Sequence, residues 1–278
     1  MKRRIIQVLS LIASNSYIQG FLNSTIYKGD TKVVCVPGMN CYSCPGARGS
    51  CPIGAMQAVI GSRKFNIPFY VLGLLMAFGI LLGRAICGLL CPFGFIQDML
   101  YKVKIKKFAV PKKLDNGLRY LKYVVLAVTV IILPMFLVSK YGIAPPYFCQ
   151  YICPVGTLEG GIPLVLGNQS LRNSVGWLFS WKMFLLVLTF VSSMVIYRPF
   201  CKYICPLGAI YALFNKFSFY QMNIDESKCT SCEICEKVCK MNVQVLKNPN
   251  HTECIRCGEC KDACPQDAIC VSLISKKN

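Results

Sequence analysis

Nineteen cysteines and a single histidine, His251, occur in this chain of 278 residues, so whatever chemistry it performs belongs to sulfur. One histidine excludes a bis-histidine haem site and two separate histidine bases. No G-x-S-x-G elbow, Walker A loop or G-x-G-x-x-G turn occurs either. The cysteines are patterned. Two runs of four stand near the end, at 229, 232, 235, 239 and at 254, 257, 260, 264, and four Cys-Pro-x-Gly elements start at 51, 91, 153 and 205.

The two runs have the spacing of a two-cluster bacterial ferredoxin, in which the fourth cysteine of each run ligates the other cluster. Cys229, Cys232, Cys235 and Cys264 are therefore expected to hold one [4Fe–4S] cubane, and Cys254, Cys257, Cys260 and Cys239 the second. Two-residue gaps wrap a tight loop round a cluster and turn backbone N–H groups toward it. The first run continues as Lys240, where the second continues as Pro265. This departure touches exposure or potential and removes no ligand. A zinc ribbon is the competing reading, since paired C-x2-C motifs also bind zinc.

The Cys-Pro elements form an internal repeat. Arg84-Ala-Ile-Cys87-Gly-Leu-Leu-Cys91-Pro92-Phe-Gly94 matches Arg198-Pro-Phe-Cys201-Lys-Tyr-Ile-Cys205-Pro206-Leu-Gly208 at a constant offset. Cys51-Pro52-Ile-Gly54-Ala-Met-Gln57 matches Cys153-Pro154-Val-Gly156-Thr-Leu-Glu159 less fully. Tandem repeats of one orientation are related by an axis along the membrane normal. That axis brings Cys87 and Cys91 opposite Cys201 and Cys205, an inner four-sulfur site for one cluster. Arg84 and Arg198 either snorkel at the interface or offset the charge of the thiolate-bound cluster. The outer set is Cys35, Cys41, Cys44, Cys51, Cys149 and Cys153. It reads as one further cluster on Cys51, Cys149 and Cys153 with Cys44 or Cys41, or else as three disulfides. Cys270 is expected in the core, and His251 on an exposed turn.

The elements that must position these residues are apolar. Hydrophobic residues make up 54% and charged residues 15%, with mean hydropathy +0.48, against about 25% charged in soluble domains. The net charge of +19 lies wholly within residues 1–216, where Lys and Arg flank hydrophobic runs, which points to anionic lipid rather than nucleic acid. Four stretches approach the roughly 20 apolar residues of a membrane span: 5–22, 65–83, 123–139 with a kink at Pro134, and 177–197. Gly79 and Gly83 fit a small-xxx-small helix contact. The lysine-rich stretch 98–122 places itself and both termini in the cytoplasm. The expected fold is mainly α. It is a four-helix transmembrane bundle of two tandem repeats (about 1–113 and 114–216) with re-entrant Cys-Pro segments, followed by an α+β 2[4Fe–4S] ferredoxin domain at 217–278.

With the Cys-x3-Cys-Pro pair at 87/91 and 201/205 beside the runs at 229–239 and 254–264, the chain resembles the membrane polyferredoxin (NapH-type) family of 4Fe–4S proteins. That resemblance implies membrane-bound electron transfer, often to or from quinones. The pair at 149/153 and the stretch Cys35–Cys44 go beyond the simplest members. The expected function is a multi-pass cell-membrane electron carrier joining a soluble cytoplasmic donor or acceptor to an extracytoplasmic redox partner, with no nucleic acid involved. One alternative is a quinone-linked dehydrogenase subunit using only the inner clusters, with a quinone or flavin as further redox group. The other is a redox-sensing or metal-handling membrane protein.

Overall fold

The computed structural model describes residues 2–62, 67–108, 110–137 and 143–273. The chain is mainly helical. The first expected span is broken: α1 (Lys2–Ser14) stops at Asn15, and α2 (Ile18–Asn23) starts afresh. At this break the backbone bonds to a neighbouring loop, where Tyr17 N–H donates to the Gly46 carbonyl and Arg48 N–H to that of Ser14. α3 (Pro52–Ile60) follows the first Cys-Pro, and α4 (Phe69–Leu82) is the second apolar stretch. Within the expected span 65–83, residues 65 and 66 lie outside the described residues. α5 (Ala85–Leu89) and α6 (Pro92–Leu100) flank Cys91.

α7 is a continuous rod from Lys112 to Phe136, longer at its start than the expected span. Its end at 138–139 lies outside the described residues. Pro134 has no N–H to give and crowds the carbonyl four residues back; the helix widens over Leu126–Ile132 just before it, as such bulges do. Widened turns recur at Phe148–Ile152 and Gly156–Gly161, leading into α8 (Ile162–Gly167) and α9 (Gln169–Asn173). α10 (Trp177–Val195) is the fourth stretch. Trp181 Nε1 donates to the Tyr151 carbonyl and Lys182 to that of Cys149. α11 (Pro199–Tyr203) and α12 (Pro206–Phe214) flank Cys205, as α5 and α6 flank Cys91. Among the described residues, α7 and α10 are long and apolar enough to cross a bilayer, whereas α4 is shorter. Gly79 packs against the Phe214 ring, where a Cβ would come within 2.7 Å.

In the last third, β1 (Gln221–Ile224) pairs antiparallel with β2 (Ile269–Ser272), and α13 (Ile234–Lys237) and α14 (Glu259–Asp262) lie around the third cysteine of each run. The two runs are copies in backbone as well as in sequence. Ser231, Glu233 and Asn242 have positive φ, and so do Arg256, Gly258 and Asp267 at the matching places. Side chains rarely accept that conformation, and a tight loop around a shared centre demands it. On β2, alternation turns Ile269 inward and leaves Cys270 exposed, correcting its expected place in the core.

Candidate iron–sulfur sites

Each Cys-Pro-x-Gly element is built alike. The cysteine is the N-cap of a helix or helical turn with extended backbone, and proline, which lacks an N–H, occupies the first turn where none is needed. The amide of the glycine then meets the sulfur: Gly208 N–H lies 3.3 Å from Cys205 Sγ, and Gly54, Gly94 and Gly156 do the same for Cys51, Cys91 and Cys153. A helix N-terminus favours negative charge, so each motif offers a cradle for a thiolate. Where a second cysteine precedes by four, the chain closes with an i→i−5 bond, from Cys91 to Ile86, Cys153 to Phe148 and Cys205 to Phe200.

These elements gather into two quartets. Cys87, Cys91, Cys201 and Cys205 stand within electrostatic range of one another, so the structure brings together the four cysteines of the expected inner site. The second quartet is Cys41, Cys51, Cys149 and Cys153, again within range of one another. Cys44 stands beside Cys41 but turns to the Asn15 side-chain oxygen, 3.4 Å away. Cys35 neighbours Cys51. None of the nineteen cysteines forms a disulfide.

Arg84 and Arg198 are both fully buried, which rules out snorkelling. Their guanidiniums cross between the halves, Arg84 to the Cys201 carbonyl and Arg198 to that of Cys87. Each is neutralised by a carboxylate, Glu253 for Arg84 and Asp98 for Arg198. Gly94 is required beneath this crossing, since a Cβ there would lie 2.9 Å from the Cys87 carbonyl oxygen and 3.1 Å from Arg198.

Sequence reasoning missed the residues six places after each Cys-Pro cysteine. Gln97 Nε2 lies 3.0 Å from Cys201 Sγ, and Gln57 Nε2 3.3 Å from Cys149 Sγ. Glu159 accepts from Cys41 N–H at 2.7 Å, and the Tyr211 hydroxyl donates to the Pro37 carbonyl at 2.8 Å. All four reach into the opposite half. The signal was available: positions N-cap and N-cap+6 differ by nearly two helical turns, and three of the four residues there are polar amides or acids in an otherwise apolar setting.

In the C-terminal third, one small cavity is lined by Cys229, Cys232, Cys235 and Cys264. A second is lined by Cys239, Cys254, Cys257 and Cys260. The fourth cysteine of each run thus lines the other run's cavity. Burial, then the neighbouring thiols Cys257 and Cys254, push Cys260 up to about 12, and burial pushes Cys254 up to about 11. Four thiolates need a cationic centre between them. Among the described residues, no three His, Cys, Asp or Glu side chains gather closely enough for a single metal ion. Zinc draws each sulfur to about 2.3 Å, whereas a cubane holds its four ligands further apart. All-cysteine sets around small cavities fit the cubane.

The second cavity abuts the first quartet. Gly88 packs so closely on Ile255 that a Cβ would lie 2.3 Å from its carbonyl oxygen. The buried Asn215 side chain accepts from Arg84 N–H and donates to the carbonyls of His251 and Cys254. Glu253 joins Arg84 and Lys122, which hold its carboxyl down to about 2. His251 is half-buried in this seam rather than on an exposed turn, and burial and Arg119 lower its pKa.

Comparison with known proteins accords with this geometry. A family model described as a 4Fe-4S binding domain matches residues 50–70, 67–111, 126–166 and 177–221, each stretch holding one Cys-Pro-x-Gly element. A second model of the same description matches 222–244 and 248–270. The chain belongs to the 4Fe-4S binding domain family, with a C-terminal ferredoxin domain. It is 34% identical to the uncharacterized protein MJ0750 of Methanocaldococcus jannaschii, over 71% of this chain and 76% of that one. It is 27% identical to the ferredoxin-type protein NapH of Haemophilus influenzae (69% and 63%), and 29% to the regulatory protein NosR of Stutzerimonas stutzeri (74% and 27%). No solved structure matches it.

Proposed function

We propose that this chain is a multi-pass membrane electron carrier with four [4Fe–4S] sites in sequence. Cys229, Cys232, Cys235 and Cys264 hold the first. Cys239, Cys254, Cys257 and Cys260 hold the second, Cys87, Cys91, Cys201 and Cys205 the third, and Cys41, Cys51, Cys149 and Cys153 the fourth. Such a cluster supplies reversible one-electron exchange at a potential tuned by hydrogen bonds to its sulfurs and by burial. The observation that carries the reading is contiguity: Ile255 in the second ferredoxin loop lies on Gly88 in the Cys87–Cys91 helix, and residues 37–41 run from the Cys91 side to Cys41. A hydrocarbon core of about 30 Å calls for such a series.

Membrane placement is supported by an exposed apolar belt. Leu9 and Ile12 of α1, Phe69 of α4, Val124 and Phe136 of α7, and Phe184 and Val187 of α10 are all exposed, and large exposed apolar surfaces mark protein or membrane contacts. We place the apolar segments around α1–α2, α4, α7 and α10 in the bilayer, residues 1–216 as the embedded domain, and 217–278 with both termini in the cytoplasm. The exposed Cys232 marks where a soluble cytoplasmic donor or acceptor meets the chain, and the fourth site serves an extracytoplasmic partner.

One observation favours a second reading, exchange with a quinone or flavin. An open cleft between α1, α6 and the ferredoxin domain is lined by Cys257, Tyr197, Arg3, Arg4 and Asp98, among others. A small carrier seated there would lie against a cysteine of the second site. Anaerobic purification with iron and sulfide counting separates the readings. About sixteen irons, four per cubane, are expected for four sites, and about twelve would overturn the fourth. Reduction of a quinone analogue by reconstituted protein, with no electron reaching an outside acceptor, would establish the second reading instead.

A further inference from the structure

Between the two quartets of residues 1–216 runs the short stretch Pro37-Gly38-Met39-Asn40. The amide of Met39 meets Cys91, a cysteine of the third site, and the next amide, that of Asn40, meets Cys51 of the fourth. Met39 Sδ lies 3.2 Å from Cys205 Sγ. Gly38 passes so near Cys91 that a Cβ would lie 3.0 Å from its Cα. Asn40 and Tyr211 are fully buried. The Tyr211 hydroxyl holds the stretch through the Pro37 carbonyl and stands within electrostatic range of Cys87, Cys91 and Cys205 of the third site and of Cys51 of the fourth.

We infer that Met39–Asn40 is a shared wall between the third and fourth sites, and that Tyr211 is the positioning residue that keeps both of its amides aimed at their sulfurs. This rests on the four-site reading above and adds a property to it. Because two successive amides of one stretch serve two sites, neither amide can move without moving the other. The potentials of the two sites are tied together mechanically, and a single stretch of bonded atoms links a cysteine of one to a cysteine of the other. A packing role alone predicts no such tie.

Tyr211→Phe in the full chain is the test, since it removes the hydroxyl and keeps the ring. An N–H aimed at a ligand sulfur raises a cluster's reduction potential. Releasing the wall should therefore lower the midpoint potentials of the third and fourth sites together, by EPR-monitored titration, and leave those of the ferredoxin pair unmoved. Should the variant lose iron, joint loss from both sites supports the wall, and loss from one alone overturns it. A shift confined to one site, or no shift, overturns it too. In the unaltered protein the two sites should broaden each other's EPR signals when both are reduced, and independent signals would count against the linkage. An iron count short of two clusters in residues 1–216 would instead overturn the underlying four-site reading, an outcome distinct from failure of the wall alone.

Discussion

Glu253 is the residue on which the ferredoxin domain's attachment turns. Its carboxylate meets two cations that are otherwise fully buried, Arg84 and Lys122. Removing one partner of a buried pair typically costs about 3–5 kcal/mol, because it leaves uncompensated charge. Glu253→Gln is expected to lose stability on that scale and to expose the seam near Asn215 to protease, read by thermal unfolding and limited proteolysis. Cys41 and Cys44 pose a sharper question. Cys41→Ser should remove about four irons and one EPR signal, while Cys44→Ser should keep both. The reverse result would make Cys44 the ligand. The sequence left these two open for a physical reason. Matching Cys153 to Cys51 sets Ala47 where Cys149 has its counterpart, so the fourth sulfur comes from an irregular loop whose path no periodicity encodes.

At the scale of the element, the Cys-Pro-x-Gly unit was legible almost completely, because an N-cap, a first-turn proline and a close-packed glycine are all local demands. The crossed ferredoxin runs were legible for the same reason. The partners of the two arginines were not, since Glu253 is 169 residues from Arg84 and Asp98 is 100 from Arg198. The break in the first apolar stretch was not legible, because hydropathy registers Ile and Leu but not the backbone bonds that Tyr17 N–H and the Ser14 carbonyl make to a loop. Gly88→Val tests the element that joins the domains. Its side chain would strike the Ile255 carbonyl, so the ferredoxin loop must lift. Slower electron passage from the ferredoxin pair to the third site, at full iron content, is expected in rapid-mixing spectroscopy. Unchanged transfer would show that the Gly88–Ile255 contact is not on the route.

At the scale of the molecule, the two regions should differ in how far iron holds them together. The smaller ferredoxin core consists of Met222, Cys235, Val245, Cys260 and Ile269, so two of its five buried residues are candidate ligands. A core that small folds on its metal. Chelation under reducing conditions is therefore expected to make residues 217–273 sensitive to protease while most far-UV helical signal persists, carried by α4, α7 and α10. Loss of the whole helical signal at the same chelator concentration would contradict this.

The crossing of Arg84 and Arg198 carries a further consequence. Each half of the chain donates to a backbone oxygen that only the other half owns, and each brings two cysteines to the quartet of Cys87, Cys91, Cys201 and Cys205. The cysteines and arginines thus obey a pseudo-dyad that their carboxylates break, since Asp98 lies in the first half and Glu253 beyond both. Holding both halves on one chain makes their closure independent of concentration and lets them differ, as Gln57 and Gln97 do from Glu159 and Tyr211.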